Sequence, residues 1–366
     1  LIMFKKTIAI VLSLALFLTA FSIPASAADE TSDVERGFYR VVDGLLDALV
    51  TGIASLIFEP HDWQTKDEYV TKNFYEGNSA EEFLDAPAEG AQWSLGYANA
   101  SILTGKELEE EHYVGGSLSI TKKLVSEVRD DSKVRTIAIS DGRGISIFAV
   151  LDSFGLANNE VRVIREKFQA YADSKGLDIT SVNVSVLHQH SSVDTFGMNG
   201  DIVSALFTSS FRNLFGMELP SGKNKNYMEN LYNVTVQSMI DAVNDMATGH
   251  LYYGNIDISE LIRDKRDPQV FDGNLNRLRF VPDDASEETW LVNLPIHCVG
   301  NGASGTVVTG DYPYFMEEYI KEKADANFIL LLGAELAITS DYPVDLVRDP
   351  EITAEYDEGY AGIVAY

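Results

Sequence analysis

Two histidines separated by one residue follow a stretch of alternating valines. Val182, Val184 and Val186 predict a strand with one buried face. If that strand continues, its two-residue period places His188 and His190 on the same face. Neutral imidazole nitrogen is a good ligand for Zn²⁺, and a strand orients such rings in advance. The pattern therefore indicates a candidate metal site at the end of this strand.

From the residues alone, two interpretations of the histidine pair remain open. A polar turn follows the pair, and its Asp194 offers a further carboxylate ligand. The alternative is a chance pair at a strand end, because a catalytic zinc site ordinarily uses three protein ligands and a water. Residues elsewhere in the chain must complete the site.

The segment around the pair also has a family likeness. His188 to Gly200, with the letters HQHSSVDTFGMNG, resembles the His-x-His signature of the neutral/alkaline (non-lysosomal) ceramidases. It is most similar to bacterial relatives in which an Asp-Thr pair soon follows the second histidine. Further similar motifs run in family order from about Gly96 to Tyr366. The resemblance implies a zinc-dependent hydrolase that cleaves an amide bond in N-acylsphingosine or a related lipid amide.

A second strand that ends in histidine supplies the other metal-ligand candidate. Trp290 to His297 occupies the place of a ceramidase strand that ends in His-Pro, although Cys298 stands here instead of the proline. The resemblance implies that His188 and His297 hold zinc, while His190 transfers protons or donates to the oxyanion. We interpret Cys298 as a small buried residue, because no partner that would activate it as a nucleophile is evident.

Two further positions are functional candidates, each with a structural alternative. Arg266 lies in a segment that resembles one whose arginine is at the ceramidase active site. The alternative is a turn arginine paired with Asp264 or Asp267. Asp311 belongs to a Gly-Asp element that the family also has, where it orients a ligand histidine or binds substrate. Its alternative role is to cap the helix that follows.

Part of the family pattern is missing. The ceramidases complete their zinc site with a Glu and a Tyr from a later part of the catalytic domain, and nothing after Asp341 resembles those segments. We therefore expect an N-terminal portion of a longer protein or a degenerate member of the family. Two other functions stay open: a non-catalytic exported binding domain of the same fold, and a zinc hydrolase that acts on a glycan or cell-wall amide.

The N-terminus predicts export. Lys5 and Lys6 form a positively charged start, an apolar stretch runs from Thr7 to Ile23, and Ala25 to Ala27 offers a small-residue cleavage site. This predicts a secreted or cell-surface protein. No other run is long and apolar enough to span a bilayer. The predicted parts are a signal peptide (1–27), an amphipathic helix with a linker (28–90), and a hydrolase domain that is incomplete at its C-terminus (91–366).

Composition narrows the possible partners. The chain has 366 residues, 45% of them hydrophobic, which is typical of a globular protein with a sizeable core. Its formal net charge of −28 argues against nucleic acid and against docking on an anionic membrane through basic patches. The partner that the family resemblance implies is a small-molecule lipid amide substrate.

Hydrophobic periodicity predicts an α/β fold with mixed β-sheets and helices packed outside, preceded by an N-terminal helix at 33–58. The turn Asp141-Gly142-Arg143-Gly144 predicts a hairpin and hence antiparallel pairing. A helix that Asn158 caps is expected to come before the strand of the histidine pair. We further predict strands at 93–102, 136–140, 145–152, 276–280, 290–297 and 327–332, and helices at 201–215, 226–246, 314–322 and 352–366.

Overall fold

Not all of these predictions fall on residues that the computed structural model describes, which are 86–116, 122–200, 217, 222–300 and 305–340. The signal peptide, the N-terminal helix and most of the linker lie outside the described residues. So do the helices expected at 201–215 and 352–366. In the described part of the chain, no helix is both long and apolar enough to cross a membrane.

Twelve strands, three α-helices and one short 3₁₀ helix (Ser259–Leu261) follow one another in the described residues. The strands are β1 (Trp93–Ser101), β2 (Glu127–Val128), β3 (Lys133–Ser140), β4 (Ile145–Leu151), β5 (Ile179–Val186), β6 (Ala247–Asp257), β7 (Ile262–Asp264), β8 (Asn274–Pro282), β9 (Thr289–Leu294), β10 (Val307–Val308), β11 (Asn327–Leu332) and β12 (Ile338–Ser340). The helices are α1 (Asn158–Lys175), α2 (Lys225–Asn244) and α3 (Asp311–Ala324).

Eight strands form one sheet in the order β11-β9-β8-β6-β1-β3-β4-β5. The pairs β4–β5 and β9–β11 are parallel and the other neighbours are antiparallel. Two small sheets, β2–β10 and β7–β12, lie beside it. The predicted α/β class with a mixed sheet is confirmed, and so is the hairpin between β3 and β4.

The large sheet consists of two halves that face each other. β1 pairs with β3 over eight residues but with β6 over only three, so the halves are joined at one corner. β11, at one end of the strand order, contacts β3 and β4 of the other half. The Tyr97 hydroxyl on β1 donates to the Phe328 carbonyl on β11 at 3.0 Å. The sheet is therefore curled, and strands that are far apart in the sheet order lie close together.

Alternating residues of β3 and β4 pack into two separate cores. Val134 and Ile147 belong to a core that includes buried residues of α1 and α2. Ile137 and Val150 point to the other face, into a core with α3 and β11 that contains Phe328. Both faces of these two strands are covered by other elements. Apolar residues therefore lie on both sides of the strands instead of on one side only.

The helices begin and end close to the predicted positions, with one correction. Asn158 is the first residue of α1 rather than its cap, and the N-cap residue Ala157 makes no side-chain hydrogen bond. α2 does have a polar cap, since the Asn224 side chain accepts from the Tyr227 backbone N–H at 3.0 Å. These helices cover the half of the sheet whose last strand leads to the histidine pair.

Candidate metal centre

The two strands that lead to the histidines end before reaching them. β5 ends at Val186 and β9 at Leu294, so His188, His190 and His297 all lie in loops. His188 has a φ of 50°, in the left-handed region of the backbone. The expectation that a continuing strand places the histidine pair on one face is therefore wrong. The conformation of the loop makes the two rings converge.

Backbone hydrogen bonds fasten the histidine loops to each other. The His190 N–H donates to the Cys298 carbonyl at 3.1 Å, which ties the loop after β5 to the loop after β9. The His297 N–H donates to the Ile338 carbonyl at 3.2 Å, which ties the loop after β9 to β12. The three rings are therefore held by main chain as well as by side-chain packing.

The three imidazole rings form a tight, half-buried group that we call the histidine cluster. The ring centre of His188 lies 5.0 Å from that of His190 and 5.1 Å from that of His297. The Nε2 atoms of His190 and His297 are 2.7 Å apart. One nitrogen of each ring lies within 4.8 Å of one nitrogen of both others, a spacing that a single metal ion can bridge.

Two of the rings are oriented through their Nδ1 atoms. Nδ1 of His188 donates to the Phe154 carbonyl at 3.0 Å, and the Phe154 ring stacks on His188 at 4.4 Å. Nδ1 of His297 contacts the carboxylate of Glu335. An imidazole that donates from Nδ1 keeps its lone pair on Nε2. This carboxylate or carbonyl support behind a ligand histidine is the usual arrangement in metal proteins.

The electrostatics of the histidine cluster suit a cation. Burial, followed by the nearby His297 and His188, lowers the pKa of His190 to about 4, so this imidazole is neutral near pH 7. Burial by itself raises the pKa of Glu335, but its hydrogen bond to His297 and the other histidines bring that pKa below its usual value. Neutral nitrogens with one carboxylate behind them are the donor set that zinc prefers.

The ring nitrogens lie close to the spacing of a zinc site. Two nitrogens that bind one tetrahedral zinc at about 2.0–2.1 Å lie about 3.3 Å apart. The 2.7 Å between Nε2 of His190 and Nε2 of His297 is shorter, and it is the distance of a hydrogen bond in which one ring nitrogen donates to the other. A small rotation of either ring reaches the ligand spacing. The cluster thus offers three protein ligands, the number a catalytic zinc site uses.

Glu335 is a site residue that the sequence analysis did not identify. It lies three residues after the end of β11, and His297 lies three residues after the end of β9. The two strands are parallel, and their last residues, Leu332 and Leu294, are register partners. Because parallel strands bring their carboxyl ends to the same edge, equal offsets place the two side chains together. The equal spacing of His297 and Glu335 from the ends of their strands is therefore the feature of the sequence that could have identified Glu335.

Arg266 does not belong to the metal-ligand group of the described residues. Its Nε donates to Asp264 at 3.3 Å, as in the turn-arginine alternative, and 68% of its side chain is exposed. Arg266 and Glu335 nevertheless line the same cavity of about 290 Å³. The ion pair of Arg266 is with Asp264 and not with Asp267, the other partner that the sequence suggested.

Asp311 holds the loop that follows His297. Its buried carboxylate accepts from the backbone N–H of Gly300 at 3.0 Å and of Tyr312 at 2.8 Å. It is also the first residue of α3. These contacts support a role in positioning the loop of a ligand histidine.

Asp194 does not supply a metal ligand. Its carboxylate accepts from the backbone N–H groups of Phe196, Gly197 and Asn199 at 2.7 to 3.0 Å, which shapes its own turn. The metal-ligand group in the described residues consists of the three histidines alone. Cys298 is free and buried as predicted, and burial raises the pKa of its thiol well above the ordinary value, which disfavours a nucleophilic thiolate.

Comparisons with known proteins bear on the fold. No protein-family model matches the sequence, and no curated protein matches it. The chain is similar to the crystal structure of a neutral ceramidase from Pseudomonas aeruginosa, with a TM-score of 0.57 and 12% identity over 75% of this chain and 43% of that one. It is also similar to a ceramidase complexed with C2, with a TM-score of 0.51 and 14% identity over 68% of this chain and 39% of that one.

These similarities confirm the ceramidase-like fold that the sequence motifs indicated. They extend over most of this chain but over less than half the length of either solved structure. The chain therefore has a mixed α/β fold of ceramidase type, with a candidate metal centre of three histidines in the loops after β5 and β9.

Proposed function

We propose that this chain is a zinc-dependent hydrolase that cleaves an amide bond, with N-acylsphingosine or a related lipid amide as its substrate class. The observation that carries the proposal is the convergence of His188, His190 and His297, two of them anchored through Nδ1. The ceramidase-like fold supports the choice of an amide, because the similar solved structures are ceramidases.

The three histidines would hold the metal, each through a neutral nitrogen. A bound zinc ion supplies Lewis acidity and lowers the pKa of a coordinated water to about 7. His190 fits a ligand better than a proton carrier, because its pKa is about 4 and its Nε2 lies 2.7 Å from Nε2 of His297. Glu335 keeps His297 in the tautomer that presents Nε2, and Arg266 lies on the cavity wall where it would fix the substrate.

The experiment that tests this function is a measurement of zinc content and amide hydrolysis with the purified chain. We expect about one zinc per chain in the wild type and loss of that zinc in His188→Ala, His190→Ala and His297→Ala. Zinc-loaded wild type should release fatty acid from N-acylsphingosine or a soluble N-acyl amide. A wild type that binds no zinc contradicts the proposal. Zinc without hydrolysis would favour the exported binding domain of the same fold.

We also propose, from the residues of the N-terminus alone, that the chain is exported. Two lysines, an apolar stretch and a small-residue cleavage site support this proposal. Expression of the full chain in a bacterium, followed by fractionation and N-terminal sequencing, tests it. A mature protein that begins at Ala28 outside the cytoplasm is the expected result, whereas an intact chain in the cytoplasm contradicts it.

A further inference from the structure

One edge of β6 has no strand partner over most of its length. On one side, β8 pairs with β6 from Gly249 to Asp257. On the other side, β1 pairs with β6 only from Ala247 to Gly249. Within the described residues, no strand of the sheet pairs with that second side from His250 to Asp257. Such an open edge is a place where the main chain can pair with a further strand.

The direction of the main-chain groups of β6 follows from one hydrogen bond. The Thr248 carbonyl accepts from the Asp283 N–H at 2.9 Å, on the side of β8. In an antiparallel sheet, successive residues direct their N–H and C=O groups to opposite neighbours. The register between β6 and β8 is continuous, so Leu251, Tyr253 and Asn255 direct these groups toward the open edge. They are therefore oriented to pair with an added strand.

The open edge lacks the features by which natural edges avoid pairing. Such edges usually carry charged side chains, proline or a bulge. The stretch 247–256, with the letters ATGHLYYGNI, contains no Asp, Glu, Lys, Arg or Pro. Tyr252, Tyr253 and Ile256 are 54%, 68% and 61% exposed. Large aromatic and apolar side chains thus flank an open main-chain edge.

The absence of charge along this edge favours a second copy of the chain as the occupant. A formal net charge of −28 makes two copies repel each other over most of their surfaces. Acidic residues occupy 56 of the 366 positions, yet none falls within 247–256. Two copies that pair along this stretch therefore bring no like charges opposite each other.

The sequence of the edge also matches itself. A two-fold axis at Tyr253 pairs two β6 strands antiparallel, with Tyr253 opposite its own copy and Tyr252 opposite Gly254 of the second chain. No atom lies within 4 Å of the place where Gly254 would carry a Cβ, so the Tyr252 ring has room to cover it. Leu251 then lies opposite Asn255, and the pairing forms about six main-chain hydrogen bonds.

We infer that the open edge of β6 is a dimerisation site, at which a second copy of this chain adds its own β6 and extends the sheet across a two-fold axis. The contact consists of one short strand from each copy, which is smaller than a standard protein interface. We therefore expect a weak dimer with a Kd in the micromolar range. The inference does not depend on the proposed hydrolysis.

The first test measures the molecular mass of the purified chain against its concentration by sedimentation equilibrium. We expect dimer at high concentration and monomer on dilution. Tyr253→Lys places two ammonium groups opposite each other and removes the aromatic pair, so it should raise the dimer Kd about tenfold. Leu108→Lys is the matched control, because Leu108 is 62% exposed and lies outside the strands, and it should keep the wild-type Kd.

Disulfide cross-linking tests the register of the two strands. In the inferred dimer, the two Cα atoms at position 253 lie about 5.5 Å apart, which is within the span of a disulfide. Tyr253→Cys should therefore give a linked dimer under mild oxidation. Asp257 lies opposite Gly249, so in Asp257→Cys the two thiols are about 27 Å apart and no link is expected. Cys298 is buried, and the wild type measures its background.

Each outcome decides for or against the dimerisation site. A wild type that stays monomeric at every concentration overturns it, and slow hydrogen exchange at the edge amides of that monomer would mean that another part of the same chain covers β6. A dimer that Tyr253→Lys does not weaken also overturns the inference, because the contact then lies elsewhere. A dimer that Tyr253→Lys weakens, and that Tyr253→Cys but not Asp257→Cys links, supports it.

Discussion

The core contains two groups of polar side chains that are built in opposite ways. In the first, which we call the charge cluster, Arg135 on β3 donates to Asp152 at 2.7 Å and to Glu317 on α3 at 2.6 Å. The second is the histidine cluster, where two nitrogens also lie 2.7 Å apart. Both groups join residues that are far apart in the sequence, and both lie against the curled sheet.

The difference between the two clusters is their charge balance. In the charge cluster, Lys133 also pairs with Glu317 at 3.1 Å, so two cations face two carboxylates and the group is complete by itself. In the histidine cluster three imidazoles converge, and Glu335 is the carboxylate that contacts them within the described residues. Buried charges that compensate one another are costly to separate, because removing one leaves its partner uncompensated, whereas converging lone pairs on ring nitrogens can bind a cation. Proximity alone therefore does not mark a functional site.

The largest expected effect comes from breaking the charge cluster. Arg135→Met leaves Asp152 and Glu317 without their main cation in a buried place, and we expect a loss of about 3–5 kcal/mol in the free energy of unfolding. Chemical denaturation followed by circular dichroism measures it. The control is Lys321→Met, which removes exposed pairs with Glu287 and Asp325 and should cost about 1 kcal/mol or less. Equal losses in the two variants would contradict the comparison.

Zinc should stabilise the histidine cluster by a smaller amount. With free zinc at about 100 times its Kd, the free energy of unfolding of the wild type should rise by about 2.7 kcal/mol. In His188→Ala and His297→Ala the same zinc concentration should have no effect, because the ligand set is broken. Thermal or chemical unfolding with zinc and with a chelator makes the measurement. A zinc effect that persists in both variants would place the metal elsewhere.

Replacing one glutamate of each cluster by glutamine gives a matched pair of variants. Glu335→Gln keeps the shape of the side chain but removes the charge behind His297, and it should weaken zinc binding about 10- to 100-fold. Glu317→Gln should leave the zinc Kd unchanged and lower the free energy of unfolding by about 1–3 kcal/mol. Competition with a zinc-sensitive dye and denaturation curves give both values for each variant. Similar changes in both variants would mean that the clusters are coupled.

The smallest expected effect is a pH dependence of the charge cluster. Burial raises the pKa of Glu317, but Arg135 and Lys133 outweigh burial and bring the pKa below its ordinary value of 4.5. The folded state therefore binds this proton less readily than the unfolded state. The stability from Glu317 is present above pH 4.5 and is lost as the pH falls through the lower folded-state pKa. Below pH 4.5 the wild type should lose stability faster than Glu317→Gln, in denaturation curves measured between pH 3 and 7.

Local sequence patterns were sufficient for most of the described elements. The alternating valines predicted β5, the turn at Asp141 predicted the β3–β4 hairpin, and the apolar run predicted β11 at Asn327–Leu332. The helix predicted at 226–246 is α2, shifted by one or two residues. These elements follow from near neighbours in the chain, since the period of apolar residues depends only on strand or helix geometry.

The sequence also supplied the histidines but not the way they meet. The pair was expected to share a strand face, yet β5 ends at Val186 and a left-handed residue at His188 turns the chain. Asp194 was an open candidate for a carboxylate ligand, and it instead shapes its own turn. Glu335 was missed because its partner, His297, is close only through the parallel pairing of β9 and β11.

The sequence by itself therefore determined the strands, the helices, the family likeness and the identity of His188 and His297 as candidates. Only the tertiary structure decided that the two loops meet, because β5 and β9 are six places apart in the sheet order and come together through the curl of its two halves. Local periodicity specifies which residues are buried. Which buried residues touch depends on the long-range pairing and curvature of the whole sheet, and that pairing placed Glu335 behind His297.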